Sequence, residues 1–189
     1  MMSLSDFDYA FKGKLGEGHR WPAFKTIAYY LLAKQDQVHI AETGCAREAY
    51  NWSGDGQSTQ VWNWIVERTG GSIVSFDINE KAVAYAKSVA PLADVQCIDS
   101  VQGLRQLQNP EQLDFLYLDS FDLTSGIESP THHLAELASI YPRLKSGCLI
   151  AVDDCVNEQH GKHRFVRDWL ASLGVEPIQT SYVTIWRKP

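Results

Sequence analysis

The most informative feature of this sequence is a pair of predicted strand ends. The first strand is followed by a glycine, and the second is followed by an acidic residue. The first apolar strand, residues 38–43, runs into Gly44, and the second, residues 72–76, stops on Asp77. In parallel α/β sheets this arrangement holds an adenosine group, because the glycine lets the backbone approach the ligand and the carboxylate accepts hydrogen bonds from the ribose hydroxyls. The sequence therefore predicts a nucleoside-containing cofactor. A second reading of Asp77 is open, as the N-cap of the helix that follows it.

Strands and helices alternate from residue 38 onward. Apolar runs at 115–118 and 149–152 fit strands buried on both faces, and segments of helical spacing lie between the strands. This predicts an α/β Rossmann-like fold, with a mostly parallel seven-stranded sheet and helices on both faces. The last two strand segments, 174–179 and 182–186, leave no room for a helix between them. They predict a C-terminal antiparallel hairpin.

Length and charge limit the domain organisation and the partners. With 189 residues the chain is read as one domain: residues 1–37 form an N-terminal arm and helix, and residues 38–189 form the core. The arm is expected to be irregular over residues 11–18, followed by a helix over residues 21–32. The net charge of −6 gives no global basic field, so a small-molecule substrate is expected, with no nucleic acid and no membrane. A homodimer is left open.

The N-terminal sequence and the cysteines bear on location. No apolar run approaches the roughly 20 residues of a membrane span, and the first residues lack the features of a signal peptide, so a cytoplasmic location is expected. The four cysteines form no C-x-x-C pair, which gives no support to a zinc or redox motif. Cys45, directly after Gly44, is read either as a small residue at a strand end or as a reactive thiol.

The chain resembles the class I S-adenosylmethionine (SAM)-dependent methyltransferases over residues 38–186. Four features carry the resemblance: the Glu42-Thr43-Gly44 strand end, Asp77, the Asp99-Ser100 pair after the third strand, and the terminal hairpin. It implies that the first loop contacts the methionine part of SAM, that Asp77 holds the ribose, and that Asp99-Ser100 lies by the adenine amine. The cofactor-binding residues it implies are Glu42, Thr43, Gly44, Cys45, Ser58, Asp77, Ile78, Asp99, Ser100 and Asp119.

A narrower resemblance is to the metal-dependent, catechol-type O-methyltransferases. Gly56-Gln57-Ser58-Thr59 resembles their helix start, Leu118-Asp119-Ser120 their metal aspartate, and Ala151-Val152-Asp153-Asp154 their Asp-Asn pair, with Asp154 in place of Asn. It implies a divalent cation such as Mg²⁺ on Asp119, Asp153 and Asp154. The alternative is a set of loop-capping carboxylates without a metal. A second departure is the segment 45–56, which follows Gly44 like an insertion.

Methyl transfer from a sulfonium requires alignment, exclusion of water and removal of one proton. The candidate catalytic residues are Asp119, His132 and His133, although histidines at a helix start also serve structure. Two aromatic regions allow two interpretations each. The arm of residues 12–21, which contains His19, Arg20 and Trp21, either folds over the cofactor mouth or is an N-terminal packing segment. Trp52 either covers the cofactor or substrate or caps the core or a dimer contact.

The predicted function is a SAM-dependent methyltransferase that acts on the hydroxyl of a small molecule, with or without a divalent metal. Two rival functions remain. An NAD-dependent oxidoreductase would need the G-x-G-x-x-G motif that this sequence lacks, and the closing hairpin argues against it. A non-catalytic nucleoside-binding or scaffold domain would keep the fold without turnover.

Overall fold

The computed structural model describes residues 4–15, 19–34, 36–157 and 160–189. Two helices precede the sheet, α1 (Leu4–Leu15) and α2 (Trp21–Leu32). Helix α2 has the predicted bounds, with Pro22 in its first turn, where a missing N–H costs no helical hydrogen bond. The expectation of an irregular arm is wrong for residues 11–15, which are helical, and residues 16–18 lie outside the described part.

Helix α1 forms because one of its faces is apolar. Phe7, Phe11 and Leu15 recur every four residues and are buried. The Phe7 ring stacks on Trp21 at 5.7 Å, which joins α1 to α2. The remaining helices and strands are α3 (Ser58–Thr69), α4 (Glu80–Val89), α5 (Ser100–Gln106), α6 (Glu128–Ile140), α7 (Arg164–Ser172), β1 (His39–Thr43), β2 (Ser72–Asp77), β3 (Ala93–Cys97), β4 (Phe115–Leu118), β5 (Leu149–Val152) and β6 (Thr184–Arg187).

The sheet has the strand order β3-β2-β1-β4-β5-β6. The first five strands are parallel, and β6 runs antiparallel to β5, which confirms the mostly parallel sheet and its antiparallel ending. The expectation of seven strands is wrong, since six strands are found in the described residues. Residues 174–179 make only one bridge, from Gln179 to Ile185. Pro177 lacks the N–H that a ladder needs, which explains why this arm of the hairpin stays short.

Side chains of the central strands alternate between the two faces of the sheet. Phe115 and Tyr117 pack with α2 and α3, whereas Leu116 and Leu118 pack with α6 and α7. Helices therefore cover both faces, as the alternation predicts. No helix in the described part of the chain has the length and apolar character needed to cross a bilayer.

The position of the site follows from the strand order. The chain moves outward from β1 to β2 and β3, then returns to β4 on the other side of β1. The loops after β1 and β4 therefore diverge and leave a crevice at the carboxyl edge of the sheet. Ligands of open α/β sheets bind at this kind of switch point.

Candidate cofactor-binding site

A cavity of about 390 Å³ opens at the carboxyl edge of the sheet, between the ends of β1, β2, β4 and β5. Small-molecule sites have volumes of about 300–1,000 Å³. The cavity is therefore large enough for a ligand of that class. The predicted site residues that line it are Gly44, Cys45, Ser58, Asp77, Ile78, Asp119 and Asp154.

Gly44 forms the turn after β1 because no other residue fits there. Its φ of +75° lies in the left-handed region, and its N–H donates to the Phe76 carbonyl at 2.8 Å. A Cβ on Gly44 would lie 2.5 Å from the carbonyl oxygen of Asp119, which is closer than any real contact. The glycine thus brings the ends of β1 and β4 together at the cavity wall.

Asp77 ends β2 with its carboxylate at the cavity. One oxygen, Oδ2, accepts from the Cys45 backbone N–H at 3.2 Å, and the other accepts from the Asn79 N–H at 2.7 Å. Asn79, and not Asp77, caps α4, since its side chain accepts from the N–H groups of Lys81 and Ala82. The Asp77 carboxylate is therefore left for the loop and for a ligand.

The Cys45 thiol also contacts Asp77, with Sγ 3.5 Å from Oδ2. Burial raises the pKa of this thiol far above its ordinary value, and the negative charge of Asp77 adds to the effect. A thiol of this kind is not a nucleophile at neutral pH. The structure thus favours the reading of Cys45 as a small residue at the strand end.

A smaller cavity of about 60 Å³ adjoins the first. The two share Asp77, Ile78, Ser120 and Phe121, and the smaller one also contains Asp99, Ser100, Phe76 and His132 in its lining. Ile78 is 75% exposed and Phe121 is 39% exposed. Two exposed apolar side chains beside a carboxylate form a slot that suits a flat, partly polar ring. The Asp99 side chain also caps α5 by accepting from the Gln102 N–H at 2.9 Å.

Glu42 and Thr43 do not line either cavity. The Glu42 carboxylate is fully buried and accepts from three hydroxyl groups: Ser58 at 2.5 Å, Thr59 at 2.7 Å and Ser75 at 2.8 Å. Burial raises its pKa to about 7, against the effect of these hydrogen bonds. Glu42 therefore ties β1 to the start of α3 and to β2, behind the cavity wall.

The three aspartates at the ends of β4 and β5 meet two basic side chains. The Arg20 Nε donates to Asp153 at 2.5 Å and its Nη2 lies 3.4 Å from Asp154. The Lys162 Nζ lies 2.5 Å from Asp119 Oδ1 and 2.9 Å from Asp154 Oδ2. We call Arg20, Asp119, Asp153, Asp154 and Lys162 the ion cluster.

Charges within the ion cluster act on one another. Burial raises the pKa of Asp119 well above its ordinary value; Lys162 opposes this shift and Asp153 and Asp154 reinforce it. The pKa of Asp154 is lowered despite burial, because Lys162 stabilises its charge. Asp154 also has a φ of +51° and accepts from the Tyr182 hydroxyl, so its side chain is tightly held.

The ion cluster does not fit the metal site that the catechol-type resemblance implies. The carboxylate oxygens point at Arg20 and Lys162 instead of converging on one point, and Asp153 is fully buried away from the cavity. Among the described residues, no group of three or more histidine, cysteine or carboxylate side chains is arranged to hold a metal ion. The two cations take the places that a divalent ion would need.

His132 and His133 lie on α6 beside the buried Glu136. His132 lines the smaller cavity, with Nε2 3.0 Å from the Ser100 hydroxyl and 3.4 Å from Glu136, whose hydrogen bond raises its pKa. His133 is fully buried, with Nδ1 2.8 Å from the Ser129 carbonyl, and burial lowers its pKa to about 4. Neither histidine lines the larger cavity, where Asp119 lies.

The segment 45–56 folds over the cavity and is held at several points. The Arg20 Nη1 donates to the Gly54 carbonyl at 2.9 Å, and Arg47 bridges Asp55 at 2.9 Å to Asp122 at 3.0 Å across the mouth. Trp52 does not line the cavity; its ring lies 6.0 Å from Phe11. Of its two interpretations, the structure favours packing against the core.

The sequence did not identify Lys162 as a site residue, and it left open whether the arm of residues 12–21, which contains Arg20, folds over the cofactor mouth. Both side chains line the cavity. One signal was present in the sequence: three aspartates expected at adjacent strand ends need compensating cations if they are buried. Nothing in the local pattern says which lysine or arginine supplies them.

Comparison with solved structures identifies the fold. CalS10, an amino pentose methyltransferase from Micromonospora echinaspora with SAM bound, matches with a TM-score of 0.58 and 10% identity over 100% of this chain and 99% of that one. The chain has the fold of the class I SAM-dependent methyltransferases. An rRNA methylase from Streptococcus thermophilus matches with a TM-score of 0.57 and 12% identity, covering 86% and 94% of the two chains. The N-methyltransferase NodS from Bradyrhizobium japonicum matches with a TM-score of 0.53 and 11% identity, covering 90% and 96%. No family model and no curated protein sequence matches the chain.

Proposed function

We propose that this protein is a SAM-dependent methyltransferase that methylates a hydroxyl group of a small molecule. One observation carries the proposal: the Gly44 turn and the Asp77 carboxylate face the same cavity, which continues into the slot between Ile78 and Phe121. We infer that an adenosyl group with an attached amino-acid arm would occupy this cavity and the slot beside it. The SAM-bound neighbour of the same fold supports the choice of SAM.

The residues present fit SAM by their chemistry. Asp77 would accept hydrogen bonds from the ribose hydroxyls, Asp99 and Ser100 would lie by the adenine, and the loop from Gly44 would hold the methionine arm. Five aspartates and three basic side chains line the larger cavity, and this excess of negative charge suits a ligand that carries a sulfonium cation. When bound, SAM supplies an electrophilic methyl group on that sulfur.

Asp119 is the proposed general base. It lies at the end of β4 on the cavity wall, and its raised pKa gives it a greater proton affinity than an ordinary carboxylate has. It would take the hydroxyl proton of the acceptor as the oxygen attacks the methyl group. The closed segment 45–56 would keep water from the site. Mg²⁺ has no part in this proposal, because Arg20 and Lys162 occupy the carboxylates.

The acceptor is proposed to be a small molecule because of the charge at the cavity mouth. Of the three basic side chains among the described residues that line the cavity, Arg20 and Lys162 are buried and Arg47 is the exposed one, and Arg47 is already paired with Asp55 and Asp122. A polyanionic acceptor needs unpaired basic groups around the site. The fold is shared with an rRNA methylase, but this cavity lacks the unpaired basic side chains that an RNA acceptor would need among its described residues.

Calorimetric titration tests the cofactor. We expect S-adenosylhomocysteine (SAH), the demethylated product, to bind and NAD not to bind. Replacing Asp77 with Asn should weaken SAH binding about tenfold or more, since hydrogen bonds to charged groups contribute about 1.5–3 kcal/mol. Asp168→Asn, an exposed acid on α7, is the matched control and should bind SAH as the wild type does. Binding of NAD alone would refute the proposal. SAH binding without methyl transfer to any of a broad set of alcohols and phenols would favour the scaffold reading.

A further inference from the structure

We propose that the ammonium group of Lys162 binds the acceptor oxygen and takes the role that a divalent metal plays in the catechol-type O-methyltransferases. The inference rests on the proposed function and adds a residue to it. Three observations carry it: the unused hydrogen-bonding capacity of Lys162, the free oxygen of Asp119 beside it, and the commitment of all three side-chain nitrogens of the neighbouring Arg20 to other partners.

Lys162 is a buried cation that still reaches the cavity. Only 2% of its side chain is exposed, yet it lines the cavity wall. An ammonium group has three N–H donors. Asp119 accepts a hydrogen bond from one of them and Asp154 Oδ2 forms an ion pair with the ammonium group at 2.9 Å, and no acceptor for the third is found in the part of the chain that the structure describes. A buried charged donor without a partner is costly, so the third N–H calls for a ligand oxygen.

Asp119 provides a complementary acceptor. Its Oδ1 is bonded to Lys162, whereas its Oδ2 has no hydrogen-bond partner within the described residues, and 17% of the side chain is exposed at the cavity. An N–H donor next to a free carboxylate oxygen matches a hydroxyl group, which accepts one hydrogen bond and donates another. A protonated amine can only donate, and the Lys162 charge would repel it. The pair therefore selects a hydroxyl acceptor.

Arg20 is held by other partners and makes no hydrogen bond to Asp119 in the described part of the chain. Its Nε is taken by Asp153, its Nη2 faces Asp154, and its Nη1 donates to the Gly54 carbonyl. Arg20 thus fixes the positions of Asp153, Asp154 and the covering loop, whereas Lys162 is the cation that lies beside the free oxygen of Asp119.

The proposed step balances without a metal. The hydroxyl proton passes to Asp119 Oδ2, the oxygen forms the new C–O bond, and the electrons of the broken S–C bond remain on sulfur. Lys162 donates a hydrogen bond to the oxygen while its negative charge develops. This lowers the proton affinity of the hydroxyl, as a bound cation would.

Titration with Mn²⁺ tests the assignment independently of activity. We expect the wild-type protein to show no Mn²⁺ binding by electron paramagnetic resonance at millimolar metal. Lys162→Ala should gain Mn²⁺ binding, because Asp119 and the Oδ2 atom of Asp154 lose the cation that lies between them. Lys162→Arg keeps the charge and should not gain it. Circular dichroism checks that each variant is folded, and Lys162→Gln replaces the alanine variant if that one does not fold. Mn²⁺ binding by the wild type, or no gain in the folded variant without the charge, would overturn the assignment.

Methyl transfer provides the second measurement. Transfer from tritiated SAM to a set of simple phenols and alcohols should be unchanged by EDTA in the wild type, and it should fall about 100-fold in Lys162→Gln. SAH binding should stay within about threefold of the wild-type value in that variant. Loss of wild-type activity in EDTA would refute only the role proposed for Lys162. Failure of the wild type to bind SAH would refute the proposed function itself.

Discussion

Replacing Arg20 with methionine should destabilise the protein strongly, because it leaves a buried carboxylate without its cation. Arg20 is 4% exposed and Asp153 is fully buried, and the two are 133 residues apart in sequence. Their contact joins the start of α2 to the end of β5. Methionine has a similar length and retains most of the packing, so the change removes mainly the charge and its hydrogen bonds.

The magnitude follows from the partners that remain. Breaking a buried ion pair by removing one partner costs about 3–5 kcal/mol. Asp153 keeps hydrogen bonds from the Tyr117 hydroxyl and the Asp154 N–H, which places the cost near the lower end, at about 3 kcal/mol. For a protein of this size, a loss of 1 kcal/mol lowers the melting temperature by about 2–4 °C. We therefore expect the melting temperature to fall by roughly 6–12 °C.

Differential scanning calorimetry at pH 7 measures the change, and urea unfolding gives the free energy. Arg105→Met is the matched control: this arginine is exposed on α5, and its loss should change stability by less than about 0.5 kcal/mol. The double variant Arg20→Met, Asp153→Asn should recover part of the loss, because the unpaired buried charge is then removed. If Arg20→Met melts within about 1 °C of the wild type, the ion cluster does not hold these elements together.

Three further outcomes follow from single residues. Burial raises the pKa of Glu42 to about 7, so the folded state retains a proton that the unfolded state loses above pH 4.5. The free energy of unfolding of the wild type, measured in urea, should therefore fall by up to about 3 kcal/mol relative to that of Glu42→Gln between pH 5 and pH 8. Gly44→Ala should cost at least about 1–2 kcal/mol because of its positive φ, with more from the clash with Asp119, whereas Gly13→Ala in α1, with open space around it, should stabilise by up to about 1 kcal/mol. A thiol reagent should modify Cys97 quickly in the folded protein, since it is the exposed cysteine, and Cys97→Ser should remove the fast phase.

Each of these has a result that would contradict it. A pH-independent difference between Glu42→Gln and the wild type would mean that Glu42 is ionised in the folded protein. Equal effects of the two glycine changes would mean that the β1 turn is not constrained. A fast phase that survives in Cys97→Ser would show that a thiol described as buried is accessible.

Most of the fold could be predicted from the sequence because local patterns encode it. Apolar runs such as 115–118 belong to strands that are buried on both faces. The prediction of an irregular arm overlooked the i, i+4 spacing of the buried apolar residues in α1, which is typical of a helix. The local sequence pattern could not show that the seventh predicted strand, residues 174–179, does not form. Residues 174–179 resemble a strand, but strand length depends on which backbone groups find partners in the sheet.

The candidate site was only partly predictable. Gly44 and Asp77 were identified because strand ends in a parallel sheet meet at one edge, and this rule needs no knowledge of long-range contacts. The placement of Glu42 behind the wall was not predictable, since it depends on three hydroxyls from α3 and β2 that lie up to 33 residues away.

The alternating elements, the acid-rich edge and the nucleoside-type crevice could be predicted from spacing along the chain, because that spacing sets which side chains share a face. The pairing of Arg20 and Lys162 with the aspartates became visible only in the folded protein. The reason is electrostatic. A buried carboxylate needs a neighbouring cation, and several basic residues of the sequence could supply it. Only the folded chain shows which of them lies within 3 Å of each carboxylate.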